Sequence, residues 1–241
     1  MNLLPLSELK VSSIAKSIGY SGDKMRTKAL YEQLQNQSFP LEDKVKFILR
    51  HWGWGNHSSM KASKKIEEIE LSGFTIPQNV KEVLLQLYGL RIPIKTKDPY
   101  DKYGGMIIFE IPPKWENMIS STELLCVHYD DDIMPIGYML NYNGGSNQKI
   151  DGWEDPKYQS SGYEYYDLYL GRSGQVYFKF VDGDCIGLKG ESLVDFFAKS
   201  FGLISFKEEV IEELSSDDFD LLEQIEELCD QGIYKQNYFR K

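Results

Sequence analysis

The sequence predicts an α+β fold: a mixed, largely antiparallel sheet with flanking helices, plus acidic helices at the carboxyl end. Three observations predict it. Apolar residues recur at helical spacing towards both ends of the chain, strand-length apolar or alternating runs crowd the middle, and the two kinds do not alternate as the units of a parallel sheet would. A length of 241 residues suits one globular unit with modest appendages, and 41% apolar with 13% aromatic residues is enough for a core. Wholesale disorder and fibrous classes are therefore excluded.

Taken in order, the first forty residues read as short helical pieces, with turns at Gly19 to Gly22 and around Ser38 to Pro40. Val45, Ile48, Leu49 and Trp52 then mark one face of an amphipathic helix that Gly53 stops. A second helix follows Pro77, with Val80, Val83, Leu84, Leu87 and Tyr88 as its stripe and Gly89 as its end. Met106 to Ile111, Leu124 to Tyr129 and Met134 to Leu140 read as strands, divided by Pro112-Pro113 and by Asp130 to Asp132. Tyr165 to Leu170, Gln175 to Val181 and Cys185 to Leu188 should form an antiparallel meander, turned at Gly171 to Gly174 and at Asp182-Gly183. Ser192 caps a helix striped by Leu193, Phe196, Phe197 and Phe201. Two more helices are expected on Val210, Ile211 and Leu214, and on Leu221, Leu222, Ile225, Leu228 and Cys229. The chain so divides into an amino-terminal helical extension over 1–44, a central domain over 45–206 and an acidic helical segment over 207–241.

Charge is distributed unevenly. Of 37 acids and 27 bases, eleven acids and one base lie between Lys207 and Asp230, so the other 26 and 26 cancel and the whole net charge of −10 sits in that segment. Nucleic-acid binding rests on clustered Lys and Arg, and neither the neutral body nor the negative segment offers it. A basic protein partner fits instead. No apolar run approaches the roughly 20 residues of a membrane span. The start, MNLLPLSELK, has no early positive region and reaches Glu8 before a long apolar stretch, so a cytoplasmic protein is expected. Cys126, Cys185 and Cys229 are odd in number and far apart, as reduced thiols would be.

Motifs for phosphate cradles, dinucleotides, nucleophile elbows and paired metal histidines are absent. On a strand, Cys126, His128 and Asp130 would share a face, yet residues two apart sit roughly 7 Å from each other, and the other histidines are only His51 and His57. A packed cysteine and a strand-end histidine are the simpler reading. Asp130, Asp131 and Asp132 do not form a calcium loop, because Pro135 and Asn141 occupy the glycine and glutamate places counted from Asp130. They read as a charged turn or as an acidic contact. Lys61, Lys64 and Lys65 precede Glu67, Glu68 and Glu70, which cancel their field within about one Debye length. No metal or cofactor is called for. The polar stretch from Gly144 to Tyr163 carries Trp153, Glu154 and Asp155, and with Tyr163, Glu164 and Tyr165 it mixes rings and acids as recognition surfaces do.

With these segments in order, the chain resembles the SUKH superfamily of bacterial toxin-immunity proteins, nearest its third branch. The resemblance runs through LRHWGW (49–54), IPQNVKEVLLQLYGLRI (76–92), IMPIGYM (133–139), DLYLGRSGQVYFKF (167–180) and IGLKGESLVDFFAKSFG (186–202), covering about Val45 to Phe206. Where the family places an arginine after the GW pair this chain has GNHSS, so no role for that arginine carries over. The resemblance implies binding rather than turnover: a non-enzymatic inhibitor that blocks the cationic active-site surface of a cognate toxin, a nuclease or deaminase. Expected contacts are Asp130, Asp131, Asp132, Trp153, Glu154, Asp155, Tyr163, Glu164, Tyr165, Asp217, Asp218 and Asp220. An intracellular scaffold is the alternative, and a thiol- or metal-dependent enzyme the third reading.

Overall fold

The structure is a computed structural model that describes residues 6–22, 25–55, 59–94, 105–112, 118–142, 163–181, 184–205, 210–233 and 235–236. Helices α1 (Glu8–Ser17), α2 (Thr27–Gln35), α3 (Leu41–His51), α4 (Ser59–Leu71) and α5 (Gln78–Leu87) precede strands β1 (Arg91–Ile94) and β2 (Gly105–Ile108). Then come α6 (Ile119–Tyr129), β3 (Ile133–Tyr142), β4 (Tyr163–Gly171), β5 (Val176–Phe180), β6 (Cys185–Gly190), α7 (Leu193–Ser200), β7 (Val210–Glu213) and α8 (Ser216–Asp230). The seven strands form one sheet in sequence order, and every pairing is antiparallel. The expected α+β class and meander are therefore present, in a sheet with no parallel pair among the described residues.

Pleating gives the sheet two faces with different covers. Ile107, Leu168, Leu170, Val176 and Phe178 join residues of α1 to α5 and α7 in the larger core. Its aromatic spine runs from Phe109 through Phe197 and Phe201 to Tyr31, with ring centroids 5.8, 5.5 and 5.1 Å apart, and so links the sheet to α2. Tyr31 also donates a buried hydrogen bond of 2.6 Å to the carbonyl of Pro93. On the other face, Tyr169, Tyr177 and Ile186 pack with Leu124, Leu125 and Cys126 of α6 and with Leu221 and Leu222 of α8. Among the described residues no helix is long and apolar enough to cross a membrane.

Two elements differ from the sequence reading. Leu124 to Tyr129 is not a strand but the second half of α6. Five consecutive residues from Thr122 to Cys126 are buried, so the helix lies between sheet and α8 and shows no amphipathic period. The premise that Cys126, His128 and Asp130 share a strand face falls with it. The Cys126 thiol is buried and lies 3.5 and 3.3 Å from the carbonyl and amide of Ile133. Val210 to Leu214 is not a helix either. Its first four residues are β7, the sheet's edge, so among the described residues the acidic segment holds one strand and one helix. The Asp182-Gly183 turn and the stretch through residues 143–162 lie outside the described residues.

Candidate functional site, the acidic face of the carboxyl-terminal helix

Helix α8 begins with a capping box. Ser215 Oγ accepts from the Asp218 amide at 3.3 Å, and the Asp218 carboxylate accepts from the Ser215 amide at 2.8 Å, satisfying two donors that a helix start leaves open. Asp217 and Asp218 also complement the positive end of the helix dipole. Of its apolar stripe Ile225 is fully buried, and the half-buried Leu221 and Leu222 lean on α6. The outer side of the helix faces water: Asp217, Asp220, Glu223, Glu226, Glu227 and Asp230 are all exposed, and no base interrupts them. Glu226, Glu227 and Asp230 stand at the negative end of the dipole, where each costs roughly 0.3–1 kcal/mol that a base would instead contribute. Stability alone does not select that arrangement.

His128 ties this helix to the end of α6. Its Nε2 lies 2.9 Å from Glu212 Oε2 of β7, and its Nδ1 lies 3.6 Å from Asp218 Oδ1 of α8. The Tyr129 hydroxyl donates to Glu212 Oε1 at 3.4 Å, and burial followed by the Glu212 charge pushes that phenol well up. At Asp218 burial acts to raise the carboxyl, but hydrogen bonds from Ser215 and the neighbouring His128 outweigh it and hold the group below its ordinary value. The structure thus places His128, two residues before Asp130, against Asp218 at the start of α8.

Asp130, Asp131 and Asp132 have different work. Asp130 is exposed and caps α6 in the left-handed conformation, φ 48°. Asp131 accepts from the Ser173 hydroxyl at 2.6 Å and from the Tyr177 hydroxyl at 3.2 Å, and Asp132 pairs with Arg172. Burial, reinforced by Asp131, pushes the Tyr177 phenol up to about 12. Asp131 and Asp132 therefore brace the β4–β5 turn against the end of α6.

Other predicted contacts lie elsewhere. Tyr165 is half-buried and stacks on Tyr138 with centroids 5.1 Å apart. It lies six residues along β4 from the Gly171 turn, or about 20 Å from the Asp131 brace. Tyr163 and Glu164 begin β4, paired with Tyr142 and Asn141. Trp153, Glu154 and Asp155 lie outside the described residues. Sequence reasoning missed Glu212 and the exposed Ile211 and Phe219, 56% and 43% exposed, which set apolar points among the acids. Helical spacing over Val210 to Leu214 gives nothing that separates Glu212 from its acidic neighbours. Among the described residues no three His, Cys, Asp or Glu side chains are grouped to hold a metal ion. Comparison of the chain with protein-family models, with curated proteins and with solved structures finds no match in any of the three.

Proposed function

We propose that this chain is an immunity protein that binds a bacterial toxin in the cytoplasm and covers the cationic surface on which that toxin, a nuclease or a deaminase, holds its nucleic acid. One observation carries the reading: α8 presents six exposed carboxylates with no base among them, three at the helix end where the dipole disfavours them. A surface that must grip phosphate presents Lys and Arg, and a helix lined with carboxylates offers the same sign of charge as the phosphate backbone. Such complementarity speeds encounter and excludes partners of like charge. Ile211 and Phe219 add apolar anchors within the charged field. The resemblance to SUKH immunity proteins, carried by the segments between Val45 and Phe206, supports the same class.

The test is calorimetric titration of the chain into the catalytic domain of the toxin encoded beside it. One-to-one binding is expected, with the dissociation constant rising at least about tenfold between low and physiological salt. Micromolar or weaker binding that ignores salt would sink the proposal.

A further inference from the structure

Helix α3 ends in Arg50 and His51, and beside that end lies a cavity of about 510 Å³. Val11, Met25 and Phe47 give it an apolar floor, and Tyr20, His51 and Trp52 give it rings. Its lining is about as polar as it is apolar, with polar groups converging beside an apolar floor, and its volume falls within the usual range of small-molecule sites.

The walls are set in place by the fold. The Trp52 indole donates to the Tyr31 hydroxyl at 3.2 Å, and Tyr31 in turn donates to the Pro93 carbonyl of β1, so the ring is tied to the sheet edge. The Tyr20 hydroxyl and His51 Nδ1 are 2.7 Å apart, which fixes the imidazole. Tyr20 meets Phe47 and His51 edge to face, with centroids 5.2 and 5.6 Å away. Little ordering is left for a ligand to impose.

The sign of the ligand's charge follows from the lining. Among the described residues it holds a guanidinium and an imidazole and no carboxylate. Arg50 is engaged by Glu8 through two contacts of 2.8 and 3.2 Å, a bidentate pair that a ligand must displace, and the 78% exposure of the Glu8 side chain weakens its hold through solvent screening. An incoming carboxylate matches the same guanidinium fork and can displace Glu8. Once Glu8 is displaced, the full charge on Arg50 exceeds the about half a charge that the negative end of the α3 dipole sets against an anion.

The geometry points to a binding site for a small planar aromatic anion, its ring against Trp52 and its carboxylate on Arg50. The site is separate from the acidic face: α3 packs on the face of the sheet opposite α6 and α8. Its occupancy does not depend on the toxin reading.

Three probes test it on the full chain by calorimetry and ligand-observed NMR: 4-hydroxyphenylacetate, its neutral amide, and cyclohexylacetate, which keeps the charge without the aromatic ring. The aromatic acid is expected to bind one to one, and the other two more weakly by about tenfold or more. Arg50→Gln should erase the preference for acid over amide. Glu8→Gln removes the competing carboxylate and should tighten the acid by about two- to fivefold. No binding of any probe to the folded protein, equal binding of all three, acid affinity unmoved by Arg50→Gln, or weaker acid binding in Glu8→Gln would each overturn the assignment.

Discussion

Glu123 is 1% exposed, and its Oε1 meets no hydrogen-bond donor among the described residues. A buried acceptor left without a partner costs about 1–3 kcal/mol, and replacement by an apolar group of similar shape recovers it. Glu123→Met is therefore expected to raise stability by that amount, read as a higher urea midpoint at unchanged slope. A lower midpoint would show that the carboxylate is an asset to the fold. Asp167 is a second uncomfortable acid. It lies opposite Lys179 across β4 and β5, and burial, opposed only in part by that lysine, pushes its carboxyl up to about 6. A folded-state value raised above the unfolded one means that the folded chain holds the proton more tightly. The charged form then penalises folding increasingly as pH rises from about 4 to about 6, and constantly above that. Asp167→Asn is expected to stabilise the protein by about 2–3 kcal/mol near pH 8 and to lose that gain towards pH 4. A gain independent of pH would exclude titration of Asp167 as its source.

At the scale of elements, those whose apolar residues recur at one regular spacing were legible, and those apolar all round or set by distant partners were not. α5 and α7 each bury a single stripe, and in α3, where Asp43 to Leu49 are all buried, the apolar side chains still recur at helical spacing, which is what periodicity reads. α6 has no such stripe, no side-chain cap at its start, and a left-handed Asp130 instead of a glycine at its end. β1 went unread because Pro93 interrupts RIPI, yet an edge strand tolerates a residue without an amide donor. β7 is made a strand by β6 rather than by its own four residues. The same limit applies to the candidate site: the acid excess of α8 is visible in composition, whereas His128 reaching Glu212 and Asp218 depends on tertiary placement. IMPIGYM was legible as a strand but not for what its glycine does. The β3–β4 register shifts between Pro135 and Gly137, Gly137 has φ 155°, and a Cβ there would collide with the Ile108 carbonyl of β2. Backbone cannot yield as a flexible side chain does. Gly137→Ala should cost more than about 3 kcal/mol, seen as an unfolded or much less stable chain in thermal melts. Gly174→Ala, also at positive φ but with open space around its Cβ, should cost less.

Over the whole molecule, the net charge of −10 belongs to a segment at one end of a body whose charges cancel. A concentrated field of this kind acts before contact, over about one Debye length, near 8 Å at physiological salt. Its effect belongs to the rate of encounter more than to the lifetime of the complex, because exposed carboxylates on a rim remain hydrated after docking. Asp217, Asp220, Glu223 and Glu227 are exposed, so converting them to Asn and Gln should leave the fold intact and relieve repulsion along α8. If the proposed toxin contact is right, surface-plasmon kinetics at low salt should show association slowed by about tenfold or more, with dissociation changed far less. The gap between wild type and variant should close as salt is raised. An unchanged association rate with faster dissociation would reverse the reasoning: the acids would then act as buried contacts, and steering would have no part in the affinity.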